Sequence, residues 1–117
     1  MEKMLAVAIF PYIKEENLAE FQKIAKEMLE SIKKLDSVIR YDIFFSTDCT
    51  SCLVIEEYRT PAGVFEHVKL HSHYLDQLTK LGGKIEGQMF PYSMDGDRKS
   101  TRLNSSHVSE SRMPSSA

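Results

Sequence analysis

No apolar run in this chain approaches the ~20 residues of a membrane-crossing helix, which leaves no helical span to argue for. The opening stretch MEKMLAVAIFPY carries one Lys, lacks a small-residue cleavage site, and is interrupted by Pro11. It reads as a strand and not as an export signal, so the cytoplasm is the expected location. Cysteine is scarce: the two present, Cys49 and Cys52, are expected as thiols in a reducing compartment. Neither sign of charge dominates. With 15 basic and 17 acidic residues the formal net charge is −2, which leaves no cationic footprint for nucleic acid. Nor is there a glycine-rich loop of the kind that cradles a dinucleotide, so no Rossmann-type flavin or nicotinamide site is expected.

What is present fits one soluble globular domain with one core. The chain has 117 residues, 42% of them hydrophobic and 27% charged. Composition shifts at Asp97. Residues 97–117 hold seven Ser in 21 residues, no hydrophobic period, and four basic against two acidic groups. Residues 1–96 hold 11 basic and 15 acidic groups. The segment reads as a disordered polar tail. Its string also resembles the translated read-through of a sequencing-library adapter, an artefact that carries no functional signal. The sequon at Asn104 and His107 fall with it, and residues 1–96 remain as the domain.

Along that domain the apolar period alternates between two and 3.6. MLAVAIFPYI is apolar on both strand faces. In KEENLAEFQKIAKEMLESIKKL, Leu18, Phe21, Ile24, Ala25, Met28, Leu29, Ile32 and Leu35 form one helical stripe. VIRYDIFFS (38–46) and SCLVIEEYR (51–59) read as a hairpin around a polar turn. In the first of these, Ile39, Tyr41, Ile43 and Phe45 are expected on one face, and Val38, Arg40, Asp42 and Phe44 on the other. A helix follows, with Thr60 expected as N-cap and Pro61 at its first position. A second helical piece closes at Gly82-Gly83. KIEGQMFPYS (84–93) is the last strand. The order β-α-β-β-α-β predicts an α+β, ferredoxin-like fold with a four-stranded antiparallel sheet and helices on one face. The other sheet face is apolar enough to require cover, so a homodimer with sheet packed on sheet is expected.

The stretch CLVIEEYRTPAGVFEHVKLHSHY resembles the core signature of the antibiotic biosynthesis monooxygenase family, a group of dimeric α/β barrels. Glu57-Tyr58 match its Glu-aromatic pair, and His67 and His73 match its two histidines. VIRYDIF resembles the family's second strand and GGKIEGQMFPYS its last, so the resemblance spans roughly residues 3 to 93. It implies a cofactor-independent monooxygenase that oxidises a small quinol or polycyclic phenol with O2. It also implies a pocket between sheet and helices, with His67 or His73 as the base and Tyr41, Phe45, Tyr58 and Phe65 as walls. Two other readings stay open: an isomerase of a small hydroxy-dicarbonyl compound, and a non-catalytic ligand-binding barrel. A phosphorylated isomerase substrate would need Arg40, Arg59 or Lys84 nearby. Haem degradation ranks lower, because that branch uses a pocket Trp and this chain has none.

The histidine-rich FEHVKLHSHY also invites a metal reading. His67 and His71 are four apart, but a helix break is expected between them. His71 and His73 would diverge, and no nearby Asp, Glu or Cys completes a ligand set, so no metal is expected. CTSC has the spacing of a redox pair, yet it falls in a hairpin turn and not at a helix N-terminus, so a structural role is expected. Adjacent Glu56 and Glu57 point to opposite faces and cannot act as a paired-carboxylate couple.

Overall fold

The computed structural model describes residues 2–93. The expectation for residues 97–117 lies outside the described residues. Four strands and three helices follow in the order β1 (Glu2–Phe10), α1 (Leu18–Ile32), β2 (Val38–Phe45), β3 (Cys52–Tyr58), α2 (Ala62–Leu70), α3 (Ser72–Gly82) and β4 (Glu86–Ser93). A short 3-10 turn at Glu15–Asn17 leads into α1. The sheet is antiparallel throughout, in the order β2-β3-β1-β4, which is the split arrangement of the ferredoxin-like fold. No helix among the described residues is long and apolar enough to cross a membrane.

Alternation along the strands decides which side chains meet the helices. On β1, Met4, Ala6 and Phe10 are buried beneath them. On β3, Cys52, Val54, Glu56 and Tyr58 are buried on the same side. The stripe on α1 delivers Phe21, Ile24, Ala25, Met28 and Ile32 to the core. Phe21 is the hub: its ring meets Phe10 edge-on at 5.1 Å and Phe45 edge-on at 6.0 Å. A smaller cluster of Met4, Ala6, Tyr58 and Val64 lies under α2.

Four local expectations need correction. A register shift between Val38 and Arg40 makes Ile39 a bulge residue. Val38 therefore packs against the core while Ile39 is turned outward, the reverse of simple alternation. The N-cap of α2 is Pro61, with no side-chain cap; the carbonyl of Thr60 instead accepts from the Gly63 N–H at 3.0 Å. α2 ends at Leu70, so the expected break does fall before His71, but it does not separate the two histidines: His71 is the C-cap, and its N–H donates to the His67 carbonyl at 3.0 Å. Both rings consequently share one face. Finally, His71 is buried and hydrogen-bonded, whereas the sequence suggested no role for it.

The β2–β3 turn is organised by Asp48. Its Oδ1 accepts from Thr50 Oγ1 at 2.8 Å, Ser46 Oγ at 2.9 Å and the Thr50 N–H at 3.1 Å, and the Thr50 bonds hold its carboxyl below the usual range. Cys49 takes a left-handed φ of 60° there. Cys52 is buried, and burial pushes its thiol up to about 12, which keeps it a thiol at neutral pH.

Candidate functional site

A cavity of about 290 Å3 opens between the helix-facing side of the sheet and helices α2 and α3. Its floor follows from strand register. Tyr41, Glu56, Ala6 and Met89 are cross-strand partners in one row running over all four strands. All four line the cavity. The next row contributes Val54, Ala8 and Gly87. Small residues on β1 and β4 beneath large helices leave the space unfilled. Val64, His67 and Val68 of α2 and Leu75 of α3 form the opposite wall. The lining is apolar except at Tyr41, Glu56, His67 and Gln88, the pattern of a small-molecule site.

Glu56 is a carboxyl group at 7% exposure. Its Oε1 accepts from the Tyr58 hydroxyl at 2.5 Å. Burial pushes its pKa up to about 7, with the Tyr58 bond pulling in the other direction. Glu57, one residue on, faces the opposite side of the sheet and accepts from Tyr92. The carboxyl bonded to Tyr58 is thus Glu56, two residues before it and on its face, and not the adjacent Glu57. That spacing was present in the sequence as strand alternation.

His67 and His71 are each 2% exposed. Their Nδ1 atoms lie 3.0 Å apart. His67 Nε2 lies 3.3 Å from the Tyr41 hydroxyl, and His71 Nε2 lies 2.8 Å from Ser31 Oγ on α1. His71 Nδ1 also lies 3.0 Å from the His67 carbonyl oxygen. A carbonyl can only accept, so the proton belongs on His71 Nδ1. His67 Nδ1 must then accept, which places the neutral His67 proton on Nε2, donating to Tyr41. His71 Nε2 accepts from Ser31. Burial, followed by the neighbouring His71, pushes His67 down to about 4, so it is neutral across the physiological range. Burial also raises Tyr41 and Tyr58 well above the usual phenol range, which keeps both protonated.

The remaining candidates from the sequence are scattered. His73 is exposed on α3 with its ring against Tyr74, away from the cavity lining. Phe65 is 67% exposed on the outer side of α2. Phe45 packs in the main core and Tyr58 supports Glu56 from behind, so neither forms the cavity surface. Arg40 pairs with Asp42 at 2.5 Å, and Arg59 Nε donates to the Asp36 carbonyl at 2.7 Å. Among the described residues, no Lys or Arg lines the cavity. Among the described residues, no three of His, Cys, Asp and Glu converge as a metal ion requires.

No protein-family model matches the sequence, and no curated protein matches it. Solved structures do. An antibiotic biosynthesis monooxygenase shares 17% identity with a TM-score of 0.63, over 82% of this chain and 100% of the other. A variant of SnoaB, a cofactor-independent oxygenase from Streptomyces nogalater, shares 12% identity with a TM-score of 0.63, over 81% and 95%. A dimeric ferredoxin-like protein from an uncultured marine organism shares 18% identity with a TM-score of 0.63, over 84% and 94%. At these identities the shared property is the fold. The resemblance read from CLVIEEYRTPAGVFEHVKLHSHY therefore holds at that level: this chain has the ferredoxin-like fold of solved antibiotic biosynthesis monooxygenases.

Proposed function

We propose that this protein is a cofactor-independent monooxygenase that oxidises a small polycyclic phenol or quinol in the cavity between sheet and helices, working as a homodimer. The observation that carries this reading is the placement of a buried carboxyl, Glu56, and a half-buried phenol, Tyr41, side by side on an otherwise apolar floor. A flat aromatic substrate matches the apolar walls, and it can itself be the reductant.

The chemistry needs a base first. Glu56, and not His67 or His73, is the better acceptor of the substrate proton. It lines the cavity, and its pKa of about 7 leaves a substantial fraction ionised near neutrality. The resulting phenolate or enolate passes one electron to O2. The superoxide and the carbon radical combine, forming a C–O bond, and Glu56 returns its proton to the peroxide. Glu56 then takes the remaining proton on that carbon. The C–H electron pair becomes the C=O bond, the O–O bond breaks, and the departing oxygen leaves as water after gaining one proton. A ring methylene and O2 thus become a ketone and water.

The isomerase alternative for a phosphorylated substrate is disfavoured because, among the described residues, no Lys or Arg lines the cavity. Dimerisation is supported by the uncovered outer sheet face, where Ile9 and Phe90 remain substantially exposed, and by the dimeric solved relative. Turnover of an anthrone under 18O2 by the purified chain, without added cofactor, tests the proposal. One labelled oxygen in the quinone product supports it. Product carrying no label, with hydrogen peroxide formed instead, contradicts it.

A further inference from the structure

The mechanism above leaves two buried histidines and a serine without a task, and it leaves open where the departing oxygen gains its proton. The hydrogen bonds between them answer both. Ser31 is half-buried on α1, His71 stands at the junction of α2 and α3, His67 lies on α2, and Tyr41 forms part of the cavity floor. The links are 2.8 Å, 3.0 Å and 3.3 Å, all within or near hydrogen-bond reach.

We propose that Ser31, His71 and His67 form a proton inlet that refills Tyr41 from the surface of α1 while Tyr41 protonates the departing oxygen in the cavity. The direction follows from the tautomers fixed by the His67 carbonyl. Ser31 donates to His71 Nε2, the single His71 Nδ1 proton is shared between the His67 carbonyl and His67 Nδ1, and His67 Nε2 donates to the Tyr41 oxygen. Each donor points toward the cavity, so the Tyr41 proton is the one left to face it. When Tyr41 gives that proton up, it takes one from His67 Nε2. His67 Nδ1 then gains one from His71, His71 Nε2 gains one from Ser31, and Ser31 gains one from water. One proton enters from solvent for each proton delivered, both imidazoles end neutral, and the balance closes when Glu56 releases to solvent the proton it took from the substrate carbon. The transfer inverts both tautomers, and ring nitrogen exchange resets them. The burial that makes a charged His67 unfavourable suits such a concerted shift, because no imidazolium has to persist there. Two buried histidines are costly to keep as core filler, and leucine would serve that end better.

The inlet rests on the oxygenase reading for its use and on the hydrogen bonds for its existence, so two readouts separate them. Ring 15N–1H NMR of the full chain at neutral pH should show His71 protonated at Nδ1 and His67 at Nε2. Exchange of the His67 Nε2 proton with water should slow by about tenfold in Ser31→Val, which blocks the last link, and recover in Ser31→Thr, which restores a hydroxyl. The opposite tautomers, or an exchange rate unmoved by Ser31→Val, overturn the inlet. With an anthrone as substrate, Ser31→Val should lower kcat by about tenfold and leave KM unchanged, with rescue by Ser31→Thr. An unchanged kcat overturns its use in turnover. A wild-type chain that consumes no oxygen sinks the oxygenase reading, while the NMR still decides whether the inlet exists.

Discussion

Glu56 and Glu57 are identical side chains on adjacent positions of β3, and the strand turns them to opposite faces. One is buried against Tyr58 beside the cavity; the other reaches across the sheet surface to Tyr92. Their alternation was legible in the sequence; the Glu-aromatic signature was matched to the adjacent pair Glu57-Tyr58, while the carboxyl that bonds Tyr58 on its own face is Glu56. What the sequence could not supply was the row of Tyr41, Glu56, Ala6 and Met89, because that row depends on register between strands distant in the chain. For Glu56→Gln, kcat should fall on the order of 10²- to 10⁴-fold. In the wild type, kcat/KM should rise with pH to a plateau with an apparent pKa near 7, matching the raised carboxyl. The same substitution should stabilise the protein above pH 7. The folded pKa of Glu56 lies above its ordinary 4.5, so its contribution to stability is fully present below pH 4.5 and is lost as pH rises through about 7. Glutamine removes the buried charge, worth about 3 kcal/mol at most. Melting curves should therefore show the variant several degrees above wild type at pH 8 and level with it at pH 4.5. His73→Ala should leave both turnover and melting temperature unchanged, since that ring is exposed and away from the cavity; a tenfold loss in a steady-state assay would restore it as a candidate.

At the scale of elements, every strand and helix was legible from apolar period, and the boundaries shifted by a few residues. The failures were local. A bulge at Ile39 has no periodic signal, and it exchanged the faces of Val38 and Ile39. The break between α2 and α3 fell at His71, where it was expected, yet as C-cap His71 stays beside His67, with ring centroids 5.0 Å apart and planes tilted by 45°. Gly82 and Gly83 were read as a stop signal, and the structure shows why each is glycine. Gly83 has a φ of 91°, which disfavours any side chain. At Gly82 a Cβ would sit 2.6 Å from Cε2 of Phe21, and that ring is held between Phe10 and Phe45. Helix propensity would gain up to ~1 kcal/mol from alanine, but overpacking against a ring that cannot swing away costs about 1–3 kcal/mol. The clash should win. Gly82→Ala is expected to lower the melting temperature by roughly 4–8 °C per kcal/mol lost, and an unchanged or higher value in thermal denaturation would show that Phe21 can move.

At the scale of the molecule, the described residues place helices on one face of the sheet and none on the other. Leu5, Val7, Ile9, Leu53, Ile55, Phe44 and Phe90 are only partly covered in the protomer. The proposed dimer would bury this face, and sedimentation equilibrium at micromolar concentration should return twice the chain mass. The Arg40–Asp42 pair lies on the same face, so an Asp42→Arg change, which sets like charges side by side, should weaken self-association. The need for cover was legible from composition alone. The cavity was not, because it arises from Ala6, Ala8 and Gly87 lying under α2 and α3, a coincidence of small residues on separate strands. The claim that this cavity is an oxygenation site is tested most directly with an oxygen electrode. Wild type and Glu56→Gln, both as the full chain and without added cofactor, would be compared on an anthrone at pH 8. The expected result is saturable oxygen uptake by the wild type and a loss of at least about 10²-fold in the variant. No uptake by the wild type, or equal rates in the two proteins, would contradict it.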